Sequence, residues 1–152
     1  MKHRRSFSET QREALVTNLK NQDVQWTMTI PTAAANFCGK RITLSVLKAY
    51  PVSKSYPHAP LSNDEIMLLK LILAKLPAII ALIEERFASG ITPNEPTFIA
   101  HADKPTIWIS RNDQLDKGND WWTFCVGRDD DSEPQWYFDF KGLQLIDAYH
   151  VR

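Results

Sequence analysis

The stretch DWWTFCVGRDDDSEPQWYF, Asp120–Phe138, sets three of the chain's five tryptophans on either side of a turn rich in acids. Aromatic and β-branched residues crowd both flanks, the composition of strands. Side chains alternate between the two faces of a strand. Trp122, Phe124 and Val126 therefore share one face, and Trp121, Thr123 and Cys125 the other. In the next strand Trp136, Phe138 and Phe140 stand opposite Tyr137, Asp139 and Lys141. Asp129, Asp130, Asp131 and Glu133 fall in the hairpin connection, with Pro134 re-entering the sheet. One face of this hairpin is wholly apolar, so it must be covered.

The cover lies upstream. The run Ile66–Ile83 is apolar almost all round, the mark of a helix buried on most sides. Ser62 with Glu65 has capping-box spacing, and Asp64 and Glu65 sit at the positive end of the helix dipole. Pro77 predicts a kink or two abutting helices, and Gly90 with Pro93 an end near Ser89. A second capping box, Ser8 with Gln11, predicts a first helix over 9–21. Alternation in Val24–Ile30 and Arg41–Tyr50 predicts two strands joined by an irregular loop. Further strands are expected at Thr106–Ser110, Trp121–Gly127, Gln135–Phe140 and Leu143–Val151. The order α-β-β-α-β-β-β-β predicts an α+β fold: an antiparallel sheet of about five to six strands with helices on one face. Residues 1–152 read as one domain with proline-rich internal linkers near 51–60 and 93–105.

With 43% hydrophobic residues, the chain can bury a core without a disulfide or metal staple. Cys38 and Cys125 have no metal-site spacing and read as reduced thiols of a cytoplasmic protein. The basic N-terminus lacks the apolar segment of a signal peptide. Ile66–Ile83, carrying Lys70, Lys75 and Pro77, reads as a buried helix rather than a membrane span. Net charge is zero but uneven. Residues 1–102 hold 12 Lys and Arg against 8 Asp and Glu, giving +4, and residues 103–152 hold 6 against 10, giving −4. No basic tract favours nucleic acid, whereas the acidic final third suits a basic partner.

The apolar face accounts for Trp122 and Trp136 as core. The opposite face carries Trp108, Trp121, Cys125, Tyr137 and Asp139, and in this reading His150, a mixture found at the centre of interfaces. Two readings stay open: a layer covered by the first helix or by 51–60, or a binding surface. The acidic turn lacks the glycine and terminal glutamate of a calcium loop, so no metal is expected there. With Asp113, Asp116 and Asp120 in the preceding loop it forms an anionic rim. Catalytic signatures are absent: there is no phosphate-binding loop, no GxGxxG, no HExxH and no GxSxG. A thiol–imidazole pair from Cys125 and His150 requires their strands to neighbour each other. The chain is accordingly expected not to be an enzyme and to need no cofactor.

The C-terminal pattern PTIWISR, WWTFCVGRDD and WYFDFKGLQLIDAY resembles the ending of small bacterial immunity proteins, which accompany polymorphic or contact-dependent toxins. The resemblance spans about the last third of the chain and implies a non-enzymatic inhibitor that occludes the active site of a basic toxin domain. On this reading Trp108, Asp116, Asp120, Trp121, Asp129, Asp130, Asp131, Glu133, Tyr137 and Asp139 form the partner-binding surface. The rival reading is a small-molecule pocket or small enzyme walled by Trp108, Trp121 and Tyr137. A homodimer through the same face is a third.

Overall fold

A computed structural model of the chain describes residues 7–22, 25–31, 36–37, 39–48, 61–88, 102–128 and 131–150. Both capping boxes form. Ser8 Oγ accepts from Gln11 N at 3.2 Å while Gln11 Oε1 accepts from Ser8 N at 2.8 Å. Ser62 and Glu65 exchange the same pair of bonds at 3.1 and 2.8 Å. These caps open helices α1 (Glu9–Thr17) and α2 (Asn63–Ala74). A third helix, α3 (Leu76–Ala88), follows a break at Lys75 and turns by 70° from α2. Pro77 tolerates only the first turn of a helix, so the break falls just before it. Helix α1 ends at Thr17, short of the expected Asn21, because Lys20–Asn21 leave the helix to pair as strand β1.

Strands β2 (Gln25–Thr29), β3 (Asn36–Phe37), β4 (Lys40–Arg41) and β5 (Thr43–Leu47) precede α2. After α3 come β6 (Ala102–Ser110), a short helix α4 (Arg111–Lys117), β7 (Trp121–Arg128), β8 (Asp131–Lys141) and β9 (Gln144–His150). The fold is α+β, with a seven-stranded sheet ordered β1-β2-β5-β6-β7-β8-β9 and a separate β3–β4 ribbon. An all-antiparallel sheet of five to six strands is corrected here: β5 and β6 run parallel, and every other pair of the large sheet is antiparallel. Parallel neighbours need a crossover of a dozen or more residues, and the segment holding α2 and α3 supplies it. The loop expected between the first two strands contains the ribbon, whose Phe37 is fully buried and meets the Phe124 ring edge-on at 5.4 Å.

Two further expectations change. The loop containing Asp113 and Asp116 is helix α4, capped by Ser110, whose Oγ accepts from Asp113 N at 3.4 Å. Strand β6 begins at Ala102, so Pro105 lies inside a strand rather than in a linker. It is tolerated because pairing with β7 shifts register between Asp103 and Thr106. Residues 51–60 and 93–101 lie outside the described residues.

The core forms on the face that alternation selects. Leu44, Val46, Ile107, Ile109, Trp122, Phe124, Val126, Trp136, Phe138 and Phe140 are fully buried. They cluster with Leu69, Ile72, Leu73, Ile80 and Ile83 of the paired helices and with Val16 and Leu19. Trp122 stacks on Phe140 with centroids 4.4 Å apart and donates its indole N–H to Gly142 O at 2.7 Å. Gly142, at φ 58°, makes the β8–β9 turn in a conformation that disfavours a side chain. No single helix among the described residues is long and apolar enough to cross a membrane; α2 and α3 reach that length only as a bent pair.

Candidate functional site

The second face of the sheet is built from the alternate residues. In one row across the strands lie Thr27, Ser45, Trp108, Thr123, Asp139 and Asp147, and in the next Thr106, Cys125, Tyr137 and Tyr149. Small polar residues form its floor: Ser45, Thr123, Cys125 and Asp139 are each less than a tenth exposed. Larger rings stand among them, with Trp108, Trp121 and Tyr137 half-buried and Tyr149 37% exposed.

Its C-terminal half is a polar network. Thr123 Oγ1 donates to Asp139 Oδ1 at 2.8 Å, and the Tyr149 hydroxyl bonds the same carboxylate. Tyr137 and Tyr149 stack with centroids 5.3 Å apart. Burial raises the Asp139 pKa, against the opposing pull of the Thr123 bond, Lys117 and the Tyr149 bond. Burial and then the Asp139 charge push Tyr149 up to about 12. Cys125 is a free thiol driven far upward by burial and then by Asp139 and Asp113. A neutral buried thiol is a poor nucleophile. The imidazole reading also fails on geometry. His150 pairs with Trp136 and stacks on its ring at 5.0 Å, on the core side, whereas Cys125 belongs to the opposite face.

The expected partner residues separate. Trp121, Tyr137 and Asp139 come together on the second face, with Trp108 in the neighbouring strand. Asp139 is buried and faces Thr123 and Tyr149 rather than solvent. Asp116 is exposed on α4, and Asp120 pairs with Lys141 at 3.0 Å. Asp129 and Asp130 lie outside the described residues, and Asp131 and Glu133 belong to strand β8 rather than to a turn. Lys117 lies 4.5 Å from the Trp121 ring centroid. The acidic surroundings are thus partly neutralised: among the residues whose side chains are described, Asp113, Asp116, Asp120, Asp139 and Asp147 stand against Lys117 and Lys141.

The described residues form two concave features. A cavity of about 250 Å³ on the N-terminal half of the second face is lined by Gln25, Ser45, Thr106, Trp108, Cys125 and Gly127, with Leu47 and Lys104 at its sides. Of the rings expected to wall a pocket, only Trp108 lines it among the described residues. The other is a groove of about 710 Å³ between α1 and α2, with Met67, Leu68, Leu71 and Ala74 as its apolar part. Its Met67 is 68% exposed. Helical periodicity over 66–83 marks these residues as apolar but cannot say which of them the sheet leaves uncovered.

Glu65 is the other residue whose role sequence did not disclose. Besides capping α2 it receives Arg111 Nε at 2.7 Å and the second guanidinium nitrogen at 2.9 Å. Both side chains are almost fully buried. The pair ties the start of α2 to the β6–α4 junction. No group of three or more His, Cys, Asp or Glu suited to a metal ion occurs among the described residues. No family model, curated protein or solved structure matches the chain.

Proposed function

We propose that the chain is a protein-binding domain that meets a basic partner through the C-terminal half of the second face, acting as an immunity-type inhibitor by occlusion. One observation carries this reading: Trp121, Tyr137 and Tyr149 present part-exposed rings on the same face of the β-sheet, where the described aspartates outnumber the described lysines. Rings of this kind supply large desolvated contact area at low entropic cost, as interface anchors do. The surrounding acids accelerate encounter with a cation-rich surface and disfavour like-charged competitors. The inhibitor reading rests additionally on the C-terminal resemblance, and a neutral buried Cys125 supports a non-catalytic role.

The test captures partners with a photo-crosslinkable residue at Tyr137, and in parallel at Met67 on the helical groove. A single basic protein trapped at Tyr137 is expected, with association that slows as salt rises. Asp113→Asn, Asp116→Asn and Asp147→Asn together should slow association about tenfold, and Tyr149→Ala should weaken binding by about 2 kcal/mol or more. Trapping only at Met67, or kinetics indifferent to the three asparagines, would sink the assignment.

A further inference from the structure

The cavity on the N-terminal half of the face is independent of that patch, and its construction is specific. Strand β6 carries one extra residue there: Asp103 pairs with Gly127 and Thr106 with Cys125, so Lys104 and Pro105 together oppose Val126. Such a bulge re-aims a side chain. Lys104 is held at φ 52°, the one non-glycine residue with positive φ among those described, and it precedes a proline. That conformation is costly for a residue bearing a Cβ, and observed strain of this kind concentrates at ligand sites. The Thr106 hydroxyl donates to Lys104 O at 3.0 Å and holds the bulge closed. The side chain so placed lines the cavity and has no hydrogen bond or ion pair among the described residues.

The remaining lining defines the ligand. Ser45 Oγ donates to Gln25 Oε1 at 2.6 Å, which leaves the Gln25 amide nitrogen as a donor for a guest. Trp108 offers a flat apolar wall, and Gly127 leaves the floor low. At the ~30 Å³ a water occupies in the liquid, the volume suits roughly eight to ten non-hydrogen atoms. Lys104 is the sole cation in the lining among the described residues, while Asp103 adjoins it in sequence and Asp139 influences Cys125, so a single negative charge fits better than two. We propose that this cavity binds a small planar monocarboxylate, with its carboxylate on Lys104 and its ring against Trp108.

The probe is benzoate, with benzamide as its neutral counterpart, titrated into the full chain and followed by amide and indole NMR signals. Benzoate is expected to move the Trp108 indole signal and the Ser45 and Cys125 amides, saturating at millimolar concentration. Benzamide, and benzoate against Lys104→Met, should each bind about tenfold more weakly. Lys104→Gly separates binding from folding, because glycine accepts φ 52° without steric cost. It should melt no lower than wild type and still lose benzoate. Shifts absent or scattered over the surface, benzamide equal to benzoate, or undiminished binding by either Lys104 variant would each overturn the proposal.

Discussion

Replacing Arg111 with methionine removes a guanidinium from a site where both ionic partners are nearly inaccessible, 6% exposed for Arg111 and 5% for Glu65. Among the described residues Glu65 then keeps only the Ser62 N–H at 2.8 Å, having lost charge-assisted bonds of 2.7 and 2.9 Å. Breaking one side of a buried pair costs about 3–5 kcal/mol, because a charge is left without compensation away from water. Against a total stability of about 5–15 kcal/mol this is a large fraction. At roughly 2–4 °C per kcal/mol for a domain of this size, melting falls by about 6–20 °C. Adding Glu65→Gln should restore much of the loss. Glutamine at the third helical position still caps Ser62 and carries no charge. Arg111 makes further contacts, but they are lost in both arms of the cycle and cancel. Urea unfolding of wild type, both single variants and the double, at unchanged m-value, measures the coupling. We expect at least about 2 kcal/mol. A loss below about 1 kcal/mol for Arg111→Met, or strict additivity of the two changes, would refute a buried mutual dependence.

Asp139 sets a pH dependence of stability. Its folded pKa lies above the unfolded value of about 3.9, so the folded state retains a proton that the unfolded state has released, and stability falls as pH rises from about 4 through the raised value. Asp139→Asn should flatten that slope in urea midpoints; parallel slopes for the two proteins would mean the carboxyl does not titrate as its burial requires. Trp122→Phe removes the donor to Gly142 O and leaves space beside Phe140, at a cost of about 2–4 kcal/mol. A change under about 1 kcal/mol in the same assay would show that the site collapses around phenylalanine without penalty.

Sequence by itself determined what depends on near neighbours. Ser8 with Gln11 and Ser62 with Glu65 sit three residues apart, so their reciprocal bonds form wherever the chain enters a helix. Pro77 breaks its helix through its own ring and missing donor. Alternation placed Trp122, Phe124, Trp136 and Phe138 in the core, since the period of a strand is a local property. Tertiary structure alone decided the rest, where partners are remote. The parallel β5–β6 pair joins strands on either side of two helices, and no local pattern distinguishes it from an antiparallel one. Phe37 enters the core because Phe124 meets it there. Glu65 reads as a cap and becomes half of a buried ion pair only when the fold brings Arg111 to it. Asp139 reads as one of the partner-binding residues of the second face, yet Thr123 and Tyr149 from the two flanking strands turn it inward. The cavity at Lys104 likewise needs β2, β5, β6 and β7 side by side. Short-range hydrogen bonding and side-chain periodicity are written residue by residue, whereas the choice among distant partners follows from the free energy of the whole packed chain.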